Sequence, residues 1–86
     1  MNGPFRITSL DDYPAIVIGT FRFRNAMKAK LEKKVLEGRG GWNIPSQCSI
    51  KRLEQMLLDH VKKGDPVDIA NFCMFIWNRR NPYGMK

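Results

Sequence analysis

Gly38-Arg39-Gly40-Gly41-Trp42 combines residue types that suit a phosphate-bearing ligand. Consecutive glycines can turn backbone N–H groups toward an anion, Arg39 adds charge, and Trp42 adds a stacking surface. The spacing matches neither a P-loop nor a dinucleotide fingerprint, and a helix C-cap followed by a tight turn accounts for the same glycines. A second group, Asp59, His60, Lys62, Lys63, Asp65 and Asp68, falls between positions 59 and 68. Grouped carboxylates are how proteins hold magnesium against a phosphate, so Asp59, Asp65 and Asp68 are the metal candidates. Asp65 and Asp68 have a competing use as helix caps, and Lys62 and Lys63 oppose a metal ion by like charge. The ligand set is therefore Arg39, Trp42, His60, Lys62 and Lys63, with no metal or other cofactor assigned. No catalytic residue is assigned either, because Cys73 lies in an apolar run with no His and acid spaced to activate it.

Arg22, Arg24, Lys28, Lys30, Lys33 and Lys34 form a third group, interrupted by the single acid Glu32. Six cations over three to four helical turns could track nucleic-acid phosphates, with Phe21 and Phe23 stacking on bases. Charges opposite an apolar stripe are equally what a solvated helix face contains, and no named nucleic-acid motif is present. Asn71 is isolated among Ile69, Phe72 and Phe75, where a carboxamide must find partners or cost about 1–3 kcal/mol. An isolated buried Asn commonly sets register between copies of a helix, which makes Asn71, Phe72, Phe75 and Ile76 the expected oligomer interface.

These groups need elements to hold them. The 86 residues, 43% hydrophobic, make one domain over 1–86. The formal charge of +7 and a pI near 9.9 favour anionic partners. Phe23, Met27, Leu31 and Val35 recur every four residues and predict a helix over about 22–37, ended by Gly38. Ser49 caps a second helix over 49–63, with Ile50, Leu53, Met56, Leu57 and Val61 on one face and Gly64 as its stop. Asp65, Pro66 and Asp68 start a third over 65–79, apolar on nearly every side. Residues 1–20 read as an irregular or partly extended lead, with short strands at 5–8 and 15–18 or a helix capped by Ser9 as alternatives. Residues 80–86, and the run from Asn78 onward, read as a loose tail. The expected fold is mainly α, three helices completed by homo-oligomerisation, because two short helices cannot encircle the third. Cys48 and Cys73 are too few for a disulfide scaffold, and no apolar run approaches ~18 residues, so a reducing cytoplasm with no membrane association is expected.

From Ala29 to Arg79 the chain resembles small uncharacterised proteins of tailed bacteriophages and prophages, carried by GW, KGDPVD and ANF within GRGGW and KGDPVDIANF. This resemblance covers about three-fifths of the chain and implies a host bacterial cytoplasm. The same segment is distantly similar to the MazG-like all-α nucleotide pyrophosphohydrolases, with Asp68-Ile69-Ala70-Asn71-Phe72 the nearest match. That similarity would set Asp59-His60 and Lys63 at glutamate positions of one motif, and Asp65 and Asp68 at the acids of the other. His60 and Lys63 depart from metal-binding carboxylates, and the motifs lie closer together than in that family. The resemblance thus implies a metal-deficient copy that binds a nucleotide without cleaving it, with magnesium entering only alongside residual pyrophosphohydrolysis. The expected function is a phage accessory, counter-defence protein that sequesters a nucleotide or nucleotide signal. The alternatives are an inhibitor docking on an acidic host or defence protein, and a nucleic-acid binder using 22–34.

Overall fold

The computed structural model describes residues 12–82, which form α1 (Asp12–Leu36), α2 (Ile50–Lys63) and α3 (Pro66–Arg80), with no strand among the described residues. The three-helix, mainly α expectation holds at that level. The candidate strand at 5–8 and the candidate cap Ser9 lie outside the described residues.

Over residues 12–21, α1 corrects the expectation of an irregular or extended segment. Helix begins at Asp12, and Ala15–Ile18 are helical rather than a strand. Pro14, which reads as a turn signal, stands in the first turn of the helix, where backbone N–H groups have no intrahelical acceptor and its missing N–H costs nothing. Asp12 in the same turn complements the helix dipole. The β-branched residues that follow cost only a fraction of a kcal/mol each, roughly 0.5 at most, and propagation into the strongly helical 26–36 outweighs it.

The other boundaries follow local grammar. Gly38, at φ +80, closes α1 in a Schellman arrangement: its N–H donates to Val35 O, and the Arg39 N–H donates to Lys34 O, both at 2.9 Å. The Ser49 hydroxyl accepts from the Arg52 N–H at 3.0 Å and starts α2. Gly64 ends α2 with φ +81, donating to His60 O at 3.1 Å. The Asp65 carboxylate accepts from the Val67 N–H at 2.9 Å, and Pro66 opens α3.

α1 and α2 each pack on α3 and not on each other. The core is Leu53, Phe72, Phe75 and Ile76, with Leu31, Trp42, Met56, Leu57 and Met74 packed around it. The four side chains expected at an oligomer interface are thus interior to one chain, Asn71 being 1% exposed and Phe72 4%. The 37–49 loop makes this possible. It lays Trp42 on Phe75, against the core.

The carboxyl-terminal run departs from the expected loose tail at its start, over 78–82, while 83–86 lie outside the described residues. α3 continues to Arg80, Asn78 Nδ2 donates to Met74 O at 2.9 Å, and Arg80 pairs with Glu54. Asn81 follows, its side-chain amide donating to Trp77 O at 2.7 Å.

Candidate functional site

A cleft of about 380 Å³ opens where α1 and α2 diverge above α3. Its floor is built from the sequence upward by residues three and four apart. Phe72 and Phe75 share a face of α3, and Leu53, Met56 and His60 share a face of α2. Trp42 stacks on Phe75 at 4.5 Å between centroids and 15° between planes. Phe75 meets Phe72 edge-on at 5.5 Å, and Phe72 meets His60 at 4.6 Å. Four rings therefore run in series from the loop to α2.

Cations line the same cleft. Lys34, from the last turn of α1, places Nζ 5.9 Å from the Phe72 ring centroid, and Arg39 stands on the loop next to Gly40 and Gly41. The Arg39 guanidinium lies 3.6 Å from the exposed Glu37 carboxylate, a surface pair that a phosphate can replace. Among the described residues no carboxylate lines the cleft itself. His60 Nδ1 donates to Met56 O at 2.8 Å, which places the ring proton on Nδ1 and leaves Nε2 as the second polar atom. Gly41 suits its place because φ is +88, a left-handed conformation that residues with a Cβ rarely adopt.

Of the expected ligand residues, the structure brings Arg39, Trp42 and His60 together and leaves Lys62 and Lys63 outside. Both lysines are exposed on the last turn of α2, where they complement the helix dipole. Three cleft residues carry other expectations: Lys34 belongs to the nucleic-acid set, and Phe72 and Phe75 to the oligomer interface. Arg79 was missed altogether. Its Nη1 donates to Trp42 O at 2.9 Å and to Cys48 O at 2.6 Å, tying the middle and the far end of the loop to α3. An arginine in the last turn of an otherwise apolar helix is a faint signal, and its partners are more than thirty positions away.

The acidic candidates have a different use. Lys30 Nζ lies 2.5 Å from Asp65 Oδ2 and 3.0 Å from Asp68 Oδ1, so an ammonium group bridges the two carboxylates. Donating to Asp65 and then to Asp68 raises the pKa of Lys30, and the bond from Lys30, with that from the Val67 N–H, lowers the pKa of Asp65. Asp59 is exposed, and no group of three or more metal-ligating side chains exists among the described residues. Asp59, Asp65 and Asp68 do not fit a magnesium ion.

The six cations of 22–34 do not share a surface. At about 100° per residue they are distributed around α1, with Lys30 on the aspartates, Lys34 at the cleft, and Lys28 at 4.0 Å from Glu32. Asn71 Nδ2 donates to Met27 O at 3.3 Å, while its buried Oδ1 has no partner. Compared with known proteins, the chain matches no family model, no curated protein and no solved structure.

Proposed function

We propose that the cleft binds a planar, phosphate-bearing ligand of the nucleotide class and holds it without turnover. The observation that carries this reading is the pairing of an aromatic series, Trp42 to His60, with Lys34 and Arg39 in a cleft lined by no carboxylate. A base finds apolar and aromatic surface on the floor, and its phosphates find Lys34, Arg39 and the N–H groups of Gly40 and Gly41. Among the described residues no acid lines the cleft; Glu37, paired with Arg39 at 3.6 Å, is the carboxylate an incoming phosphate displaces, and no acid of the lining positions a hydrolytic water, which supports sequestration. Together with the phage-protein resemblance of KGDPVDIANF, this reading makes the chain an accessory protein that withholds a nucleotide or nucleotide signal in a bacterial host.

The test is calorimetric titration and thermal shift of the nucleic-acid-free protein with nucleotides, cyclic dinucleotides and ADP-ribose derivatives, with and without magnesium. A ligand at 100 times its dissociation constant is expected to stabilise the native state by about 2.7 kcal/mol. Lys34→Met and Arg39→Met should each weaken binding about tenfold or more, as charged hydrogen bonds are worth about 1.5–3 kcal/mol. A Lys62→Ala, Lys63→Ala double variant should bind like the parent chain. Silence across the panel, or binding indifferent to Lys34 and Arg39, overturns the proposal.

A further inference from the structure

His60 brings to the cleft a polar atom that a phosphate does not use. Its Nδ1 lies 2.8 Å from Met56 O, and a carbonyl oxygen only accepts, so the ring proton sits on Nδ1. Nε2 of the neutral ring is then an acceptor with no proton to give. The Met56 bond and the Phe72 ring, 4.6 Å away between centroids, hold the imidazole in that orientation. Turning the ring over would set a C–H against the Met56 carbonyl in place of the donor.

Nε2 has no hydrogen-bond partner among the described residues, and it is not sealed in the interior as Asn71 Oδ1 is. It belongs to a half-buried residue that lines the cleft. The cationic side chains of the lining are of the opposite kind, since Lys34 and Arg39 donate and cannot accept. Asn43, whose carboxamide could accept, is exposed beside Trp42, at the other end of the ring series from His60. Around His60 the lining is apolar, with Met56 one turn back on α2, Leu53 two turns back, and Phe72 against the ring. The cleft is therefore polarised: donors stand along α1 and the loop, and a single nitrogen acceptor stands on an apolar wall at α2.

We infer that the base held in the cleft is adenine, with His60 Nε2 accepting from its exocyclic amino group. This rests on the nucleotide reading of the cleft and adds the identity of the base and the direction in which the ligand lies. A phosphate oxygen and an unprotonated Nε2 are both acceptors and cannot bond to each other, so the phosphates lie toward Arg39 and Gly41 and the base edge toward α2. A lone acceptor on an apolar wall suits a base edge that offers an N–H and carries no carbonyl. Adenine is the common base of that kind. Guanine and uracil flank their ring N–H with carbonyl oxygens, and cytosine has one on the same edge as its amino group. Against Met56, Leu53 and Phe72 such an oxygen would be buried without a donor, which is unfavourable.

The test is calorimetric titration of the full chain with ADP, GDP and purine riboside 5′-diphosphate, which is ADP without the amino group. ADP is expected to bind about tenfold or more tighter than either, since each leaves Nε2 or a carbonyl unpaired. Two variants remove Nε2 in different ways. His60→Asn keeps a donor for Met56 O, as Asn78 donates to Met74 O and Asn81 to Trp77 O one turn back. His60→Phe keeps a ring on Phe72 and removes both nitrogens. Each variant should bind ADP and the purine riboside analogue equally, with far-UV circular dichroism reporting that it is folded. The ratio is taken within one variant, so a general loosening of the cleft cancels. Parent-chain binding that needs Lys34 and Arg39 but is equal for ADP and the analogue, or tighter for GDP, overturns this inference and leaves the phosphate reading standing. So does discrimination that survives in both variants. Binding of none of the three overturns it as well, and the wider nucleotide panel then decides whether the phosphate reading falls with it.

Discussion

α3 is held on two sides by different chemistry. Toward α1 the directional contacts are polar, beside the apolar contact of Leu31 with the core: Lys30 bridges Asp65 and Asp68, and Asn71 donates to the Met27 carbonyl. Toward α2 and the loop its partners are apolar and aromatic, with Leu53, Trp42 and His60 against Phe72, Phe75 and Ile76. The apolar side draws its stability from area removed from water. Directional bonds on the polar side set where α1 crosses, and they leave Asn71 Oδ1 unpaired in the interior. Stability and geometry are therefore supplied from opposite sides of one helix. The cleft opens along the line where the two sides meet, with Lys34 from one and the ring series from the other.

Phe72→Ala should break the aromatic side outright. The ring is 4% exposed and touches Phe75, His60 and Lys34, so its loss should cost about 3–5 kcal/mol, read as a lower urea midpoint. For a domain this small that approaches the whole stability.

A narrower probe is Arg79→Met, which keeps the side-chain length and removes the donor to the Trp42 and Cys48 carbonyls. A loss of about 1.5–3 kcal/mol is expected, with a change in Trp42 emission as the loop loosens and weaker ligand binding at the cleft. Unaltered emission and affinity would show that Trp42 is held by Phe75 alone.

The smallest effect belongs to the polar side, and pH isolates it. Asp65 has its pKa lowered in the fold by Lys30, so its contribution is present above the unfolded value of about 3.9 and is lost as pH falls through the lower folded value. For Lys30, whose pKa is raised, the contribution is present below about 10.4 and is lost as pH rises through the folded value. Asp65→Asn keeps a good N-cap for α3 while removing the charge, so it should flatten the acid limb of a stability–pH curve without unfolding α3. An unchanged acid limb would show that the bridge stabilises nothing.

The α2 and α3 boundaries were legible because Ser49, Gly64, Asp65 and Pro66 act within one turn of their own positions. The packing face of α1 was not. Phe23, Met27, Leu31 and Val35 look like a stripe, but each four-residue step drifts about 40° around a helix, so the run wanders about 120° from end to end. Only Met27 and Leu31 face α3, joined by Lys30 and Lys34, while Phe23 is 40% exposed and Val35 66%. In the candidate site, Arg39 and Trp42 were legible as residue types beside glycines. Lys34, Phe72 and Arg79 were not, because each acquires its part only from a partner distant in sequence.

Sequence alone determined three helices, most of their ends and the chemical character of the 38–42 loop, since propensity, capping and left-handed glycines are settled by neighbours in the chain. Tertiary structure alone decided which cations became internal partners, which surround the cleft and which stayed on the surface. Lys30, Lys34 and Lys28 occupy similar positions along one helix, and they differ only in what α3 places opposite them: two carboxylates, an aromatic ring, or nothing. The energy of a charge depends on the groups a few ångströms away, and those groups are brought there by the fold.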